Sequence, residues 1–358
     1  ADYQLTSWLS GLVRVGSDSY RQTTEQRFAR GNIDNASASF NGGFTNATNR
    51  ARETNVDGIL TARQSLGMLD MTINLGGNRR RNDRFTNSFG TAGILVEKIY
   101  NLANAGIAPT IANAEFHSAV NSAYGSAVVT LNRLWTVEVT GRNDWSSTLP
   151  KENSSYFYPS VNSSLVISDL FPAIRKNNWI SYAKFRGGFA QVGSDAGPYQ
   201  LQTLFIGNTN KFGGQSLYSL SNTSANAGLK PERTIGMEGG AEISFFSDRV
   251  TVDGTYYVKR TRDQIIPLTI APATGFQSTI INAGQITNKG FEALITVQPI
   301  RGRDVSWRTT FNYTRNRNRV DSLAPGLKTI IVASQWLSLI HISEPTRLRR
   351  ISYAVFCL

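Results

Sequence analysis

A hydropathy period of two runs through most of this 358-residue chain and limits its fold more than any other feature. Leu69, Met71, Ile73 and Leu75 alternate with Asp70, Thr72, Asn74 and Gly76. Trp135, Val137 and Val139 alternate with Thr136, Glu138 and Thr140, and the same rhythm recurs over Ile235–Phe245, Val250–Lys259, Phe291–Gln298 and Val305–Thr314. Successive side chains of an extended strand point to opposite faces, so these runs make strands with one apolar and one polar face. No stretch of comparable 3.6-residue period is present. The pattern predicts an all-β chain with eleven strands, near 5–16, 55–64, 68–76, 121–131, 134–142, 157–168, 180–190, 233–245, 250–261, 288–298 and 305–316.

The links between these strands alternate in length. Ser65–Gly67, Asn132–Arg133, Asp169–Trp179, Phe246–Arg249 and Pro299–Asp304 are short, whereas 17–54, 77–120, 143–156, 191–232 and 262–287 are long. A soluble sandwich has no reason to gather its long loops at one end. A transmembrane barrel does, with short periplasmic turns and long extracellular loops. Lys184, Arg186, Glu238, Glu242, Asp253, Lys259, Glu292 and Arg308 share the phase that would face a wet lumen. A charge on the lipid side at mid-bilayer costs about 2–4 kcal/mol, so one consistent phase matters. Tyr156, Phe157, Tyr158 and Trp179 fall at expected strand ends, where aromatic girdles belong.

Composition agrees. Charged residues are 17% of the chain, below the ~25% usual in soluble domains. No apolar run nears the ~18 residues of a membrane helix, which excludes helical membrane proteins but not barrels. The single cysteine, Cys357, excludes a disulfide framework. The net charge of +12 comes from basic residues spread over many strands, with no reading helix, so nucleic-acid binding is not expected. The last 22 residues look foreign. Leu337–Arg347 resembles the translation of a sequencing adapter, Ile351–Leu358 resembles its index-side end, and Leu348, Arg349 and Arg350 fill the place of a barcode. Without them 34 basic and 24 acidic residues remain. The expected organisation is therefore 1–336 as a partial barrel and 337–358 as a non-native tail.

Several runs resemble the SusC/RagA family of TonB-dependent outer-membrane transporters of Bacteroidota. They are Gly76–Arg79, Gly141–Pro150, Tyr158–Val161, Lys184–Gly188, Gln191–Asp195, Leu229–Thr234 and Asn288–Glu292, in order over about Leu5 to Val320. The resemblance implies an antiparallel barrel of roughly 22 strands closed by a plug, of which this chain carries about half and cannot close. It also implies import of glycans or peptides, a SusD-like surface lipoprotein as lid, and drive from TonB–ExbB–ExbD through the plug. The chain as written has no plug and no TonB box, so by itself it is expected not to transport. Contact with outer-membrane lipid and lipopolysaccharide would follow from the same placement. Two other readings stay open: a passive porin-type barrel, which would lack a plug and TonB box upstream, and a secreted β-rich glycan-binding or adhesin module, which would stay in water without detergent.

Individual motifs carry two readings each. In Leu229–Thr234, Lys230, Glu232 and Arg233 could touch substrate or partner at the rim; alternatively Pro231 ends the loop while Glu232 and Arg233 pair. Asn143 and Asp144 suit a turn, and Trp145 could stack on a sugar or anchor at the interface. Arg79, Arg80 and Arg81, with Arg84, open the 77–120 loop, where guanidinium groups could pair with lipopolysaccharide phosphate or an anionic substrate, or simply be solvated. Catalytic, cofactor and metal sites are not expected. His117 stands isolated in a loop, the Gly-Gly pairs do not open a phosphate cradle, and no EF-type spacing occurs. Glu238 and Glu242 read as wall residues rather than an acid/base pair.

Overall fold

The computed structural model describes residues 1–31, 41–176, 179–324, 329–335, 338–343 and 346–347. In chain order its strands are β1 (Asp2–Gln4), β2 (Leu9–Phe28), β3 (Gly43–Leu66), β4 (Leu69–Thr91), β5 (Thr110–Leu131), β6 (Trp135–Ser146), β7 (Ser155–Val166) and β8 (Ile180–Ser194). They continue with β9 (Phe205–Phe212), β10 (Gln215–Leu220), β11 (Thr223–Ser224), β12 (Glu232–Phe245), β13 (Val250–Arg262), β14 (Ile265–Thr269), β15 (Ser278–Asn282) and β16 (Gln285–Arg301). The last are β17 (Ser306–Ser322), β18 (Thr329–Gln335), β19 (Ser338–Ser343) and β20 (Thr346–Arg347). Thirteen form one sheet in the order β1-β2-β3-β4-β5-β6-β7-β8-β12-β13-β16-β17-β20, which does not close on itself. Its eleven long members correspond one to one with the eleven expected strands. Cys357 and most of 337–358 lie outside the described residues.

The expected loops 17–54 and 77–120 are the main correction. Strands β2, β3, β4 and β5 run 20, 24, 23 and 22 residues and take up much of both segments. His117 and Arg79–Arg81 therefore stand on strands rather than in a loop, and Asn143 and Asp144 belong to β6 rather than to a turn. The extensions carry polar residues on both faces, so hydropathy does not alternate there, but backbone pairing continues. Tight turns hold the opposite end. Between β12 and β13, Phe246, Ser247 and Asp248 adopt left-handed φ of 54°, 56° and 64°. The long links 195–231 and 263–284, at the end away from these turns, carry small sheets of their own: the β9–β10 hairpin, and β11-β15-β14.

The chain divides into two compact units. The first holds Leu12–Gly58 and Asn78–Asn121 with Ala1. Its tip is closed by the buried residues Phe44 and Ile94, by an edge-on Phe44–Phe89 contact, and by Asn104. The Asn104 side chain donates to the carbonyls of Val96 and Ile99 at 2.7 Å and accepts from Val96 N–H at 2.9 Å. Backbones approach closely at this tip. A Cβ on Gly43 would lie 2.4 Å from the Thr91 carbonyl oxygen, and one on Gly90 would lie 2.4 Å from that of Phe44.

The second unit holds Asp2–Gly11, Ile59–Gly77 and Ser122–Leu358. Its antiparallel registers sort side chains onto two faces. One face reads Ala183, Phe185, Phe189 on β8; Ile243, Ala241, Met237 on β12; Val252, Tyr256, Val258 on β13; Ile295, Ala293, Phe291 on β16; and Phe311, Tyr313 on β17. Many of these stand exposed, Met237 at 57% and Phe311 at 60%, so the apolar face is not covered by protein. Hydrocarbon is the solvent such a face requires. Val250 to Val258 on β13 spans about 27 Å of strand at ~3.4 Å per residue, or about 20 Å of height at a ~40° tilt, close to the ~25 Å apolar band of outer-membrane barrels. At the short-turn end Trp135, Trp179, Phe246 and Trp307 are all exposed, with the Trp179 and Phe246 rings 5.6 Å apart. This is a lower aromatic girdle.

The tight tip of the first unit gives a direct prediction. Gly43→Ala and Gly90→Ala each push a methyl into a backbone carbonyl that cannot rotate away, so each is expected to destabilise the folded protein by about 1–3 kcal/mol. Thermal loss of the SDS-resistant folded band checks this, with Gly16→Ala, where a Cβ meets nothing within 4 Å, as the neutral comparison.

Candidate functional site: the polar wall and its rim

Opposite the apolar face, the same registers assemble a hydrophilic wall. Glu242 faces Lys184 on one side and Asp253 on the other. One row further, Arg186, Gly240, Thr255, Glu292 and Thr314 line up across five strands. Glu238 pairs with Tyr257, and Gly236 with Lys259. Arg308 keeps the phase of Thr310, which faces Thr296, and so joins this face near the short turn. All eight charged residues singled out from the sequence therefore share one face. They do not converge on a point: the wall is broad, and the recess beside Lys184, Arg186, Glu138 and Glu238 holds about 210 Å³.

Arg186 organises the centre of this wall. Its guanidinium crosses β12 to reach Asp253 on β13, donating to both carboxylate oxygens, with Nη1 at 3.0 Å, and also to Thr255 Oγ1. Gly240 makes the crossing possible, because a Cβ there would lie 2.9 Å from Arg186 Nε. A planar fork suits this two-point contact in a way an ammonium does not. Both side chains are about a third exposed, 33% and 31%, so water screens the pair.

At the long-loop end three sequence runs meet. Arg142 donates to Asp144 at 2.8 Å and to Ser122 Oγ at 2.7 Å, and lies 5.7 Å over the Tyr124 ring. Tyr158 Oη donates to buried Asp144 and stacks with Tyr156 at 5.9 Å. Ser146 and Thr148, both buried, donate to Asp195. Asn153 donates to the Leu229 carbonyl at 3.0 Å, and Leu229 is wholly buried with Leu149 and Ala196. The segments Gly141–Pro150, Gln191–Asp195 and Leu229–Thr234 thus clamp one another. Sequence reading missed this lock, because its partners are far apart in the chain.

The rim residues separate. Glu232 and Arg233 are neighbours on a strand and point to opposite faces, so the expected pair gives way to a hydrogen bond: Glu232 accepts Ile265 N–H at 2.8 Å. The Lys230 backbone is held by Asn282, which accepts its N–H at 2.8 Å and donates to its carbonyl at 2.7 Å. Trp145, 44% exposed, shares the phase of Trp135, Val137 and Val139 on the apolar face.

In the first unit, Arg79 and Arg81 share a phase of β4 and Arg80 takes the other; all three are exposed. Asp83 accepts from Arg81 at 3.1 Å and Arg52 at 3.4 Å and contacts His117 Nδ1 at 2.7 Å, beside a recess of about 460 Å³ lined by Tyr20, Arg21, Arg50 and Phe85. The His117 contact, then Arg81 and Arg52, hold the Asp83 carboxyl below the usual aspartate range. Among the described residues no group of three or more His, Cys, Asp or Glu gathers as metal ligands would.

A lipid-exposed open sheet, a wet opposite wall and a one-ended set of long loops define an outer-membrane β-barrel protein. The chain belongs to the TonB dependent receptor-like, beta-barrel family, whose model matches residues 1–336, and it is of the SusC/RagA type. Its place is the outer membrane. It is 29% identical over 206 residues to the TonB-dependent receptor SusC of Bacteroides thetaiotaomicron, covering 55% of this chain and 20% of that protein. It is 27% identical over 223 residues to TonB-dependent receptor P26 of Formosa agariphila, covering 62% and 22%. The RagAB peptide importer in its closed-closed state shares the fold, with a TM-score of 0.75 at 21% identity over 92% of this chain and 36% of that one. The chain spans about a fifth of the length of the curated relatives it matches.

Two predictions follow from these contacts. Removing Arg186 alone leaves Asp253 without the guanidinium that pairs with it, next to Glu242 across the ladder. Arg186→Met is expected to cost about 1–2 kcal/mol after screening, and Arg186→Met with Asp253→Leu to recover most of it; a double-mutant cycle on refolding checks the coupling. Because the Asp83 carboxyl is held low, its contribution is fully present above the unfolded value, about 3.9, and is lost as pH falls through the native value. Asp83→Asn should be less stable than the native protein at neutral pH, and this gap should close as pH falls through the acid range below about 5.

Proposed function

We propose that this chain forms part of the wall of an active importer of large nutrients, glycans or peptides, across the outer membrane. The observation that carries this reading is the hydrophilic face shared by Lys184, Arg186, Glu238, Glu242, Asp253, Lys259, Glu292 and Arg308, opposite a lipid-facing surface, in a TonB-receptor barrel. In this role those residues line the translocation path. A water-filled passage needs charge on its inner wall and hydrocarbon outside, and the two phases supply both.

The whole transporter would work with a SusD-like surface lipoprotein over the long-loop end and with TonB–ExbB–ExbD acting through a plug. The name of the RagAB structure, a peptide importer, and the match to SusC support that partnership. Trp145, on the apolar phase, would anchor at the interface, and Arg79, Arg80, Arg81, Lys230 and Arg233 would stand among the outward and rim groups meeting lipopolysaccharide, lipid or a partner. Residues 337–358 are read as adapter-derived and take no part.

Uptake by cells expressing the full transporter tests the reading. A protonophore should abolish accumulation of the cargo, and Glu238→Gln with Glu242→Gln should change the uptake rate several-fold at unchanged outer-membrane level. Uptake that continues without a proton gradient would instead mean a passive porin.

A further inference from the structure

The apolar face ends abruptly in positive charge. On β13 the outward phase runs Val252, Gly254, Tyr256, Val258 and then Arg260 and Arg262. Beside it β16 passes from Ile295, Ala293 and Phe291 to Lys289, and β17 from Phe311 and Tyr313 to Arg315, Arg317 and Arg319. The register makes these changes coincide. Val258 faces Lys289, which faces Arg317, and Arg260 faces Thr287, which faces Arg319. The cations lie at the end from which the long 263–284 link leaves, away from the tight turns and the tryptophan girdle.

They also line a real recess. Arg260, Lys289, Arg317 and Arg319, with Gln285 and Thr287, border about 450 Å³. Its floor holds one acid. Asp321 sits at a register irregularity opposite Gln285 and Ile286, accepts from Thr287 Oγ1 and from Gln285 at 3.2 Å, and lies 3.5 Å from Arg319. Asp321 is thus engaged from the side, while Arg260, Lys289 and Arg317 are exposed. One carboxylate cannot neutralise four cations. A patch that is greasy below and strongly cationic above matches a molecule with acyl chains below and phosphate above.

We propose that this recess binds the phosphorylated headgroup of an outer-leaflet glycolipid of the lipid A class, its acyl chains lying along Val258, Tyr256, Phe291 and Tyr313. Guanidinium forks pair two-point with phosphate oxygens, and the contact gains strength at the edge of a low-dielectric layer. Lipopolysaccharide contact is part of the reading above; the added content is this site on β13, β16 and β17. It rests on that reading only for which face meets lipid, not for cargo or energy source.

The experiment uses the full transporter purified in detergent, with phosphorylated lipid A, the same lipid A stripped of phosphate, and inorganic phosphate as probes. Phosphorylated lipid A should raise the thermal transition of the native protein, and stripped lipid A should raise it far less. Arg260→Gln/Arg317→Gln/Arg319→Gln should weaken binding at least tenfold. Equal effects of the two lipids, or unchanged affinity in the triple variant, would overturn the proposal. Inorganic phosphate alone reproducing the whole shift would overturn the lipid assignment and leave a free-anion site. Should the triple variant fail to fold, the two lipids compared on native protein still decide. Cargo uptake is not a readout, so a failed lipid site and a failed transport reading remain distinguishable.

Discussion

Backbone amides and carbonyls cannot be left unpaired in hydrocarbon, and the rest of this structure depends on that constraint. A chain without long apolar helices meets it only by pairing strand to strand, each ladder satisfying the next. Once strands are paired, the two-residue period of the pleat divides every side chain between two environments. The sheet order from β2 to β17 and its antiparallel registers are the backbone solution. The apolar and charged faces are its consequence.

From that division the other features follow in sequence. The apolar face is bounded below by tryptophans and above by arginines, so the position of the bilayer is written on the wall. Charges on the opposite face must compensate one another laterally, across strands, since neighbours along a strand point away from each other. Arg186 reaching over Gly240 to Asp253 is the clearest case. Where the strands leave the membrane, order is kept by buried polar locks such as Asp144 with Arg142 and Tyr158, and Asp195 with Ser146 and Thr148.

Much of this was readable from residues alone, and the failures have physical causes. The eleven long strands are legible because one face is apolar wherever lipid is near. The outer halves of β2–β5 are not, because a strand wetted on both sides loses its hydropathy signal; Arg79–Arg84 looks like a loop and is a strand. The phase of the eight wall charges was readable, since parity needs no partner. Their neighbours were not, since register depends on turns and irregularities such as that beside Asp321. Arg315, Arg317 and Arg319 could be seen alternating with asparagines, but only the register brings Arg260 and Lys289 beside them. Asp144 read as a turn former because nothing local signals that Tyr158 and Arg142 would close over it.

Spin labels placed singly from Val250 to Arg262 in the full-length protein, reconstituted in lipid, test the division of faces most directly. Labels at 252, 254, 256 and 258 should collide with oxygen dissolved in the bilayer, and those at 253, 255, 257 and 259 with a water-soluble nickel complex. Access to the aqueous reagent at every position, or a period other than two, would contradict the division of this sheet into a lipid face and a water face.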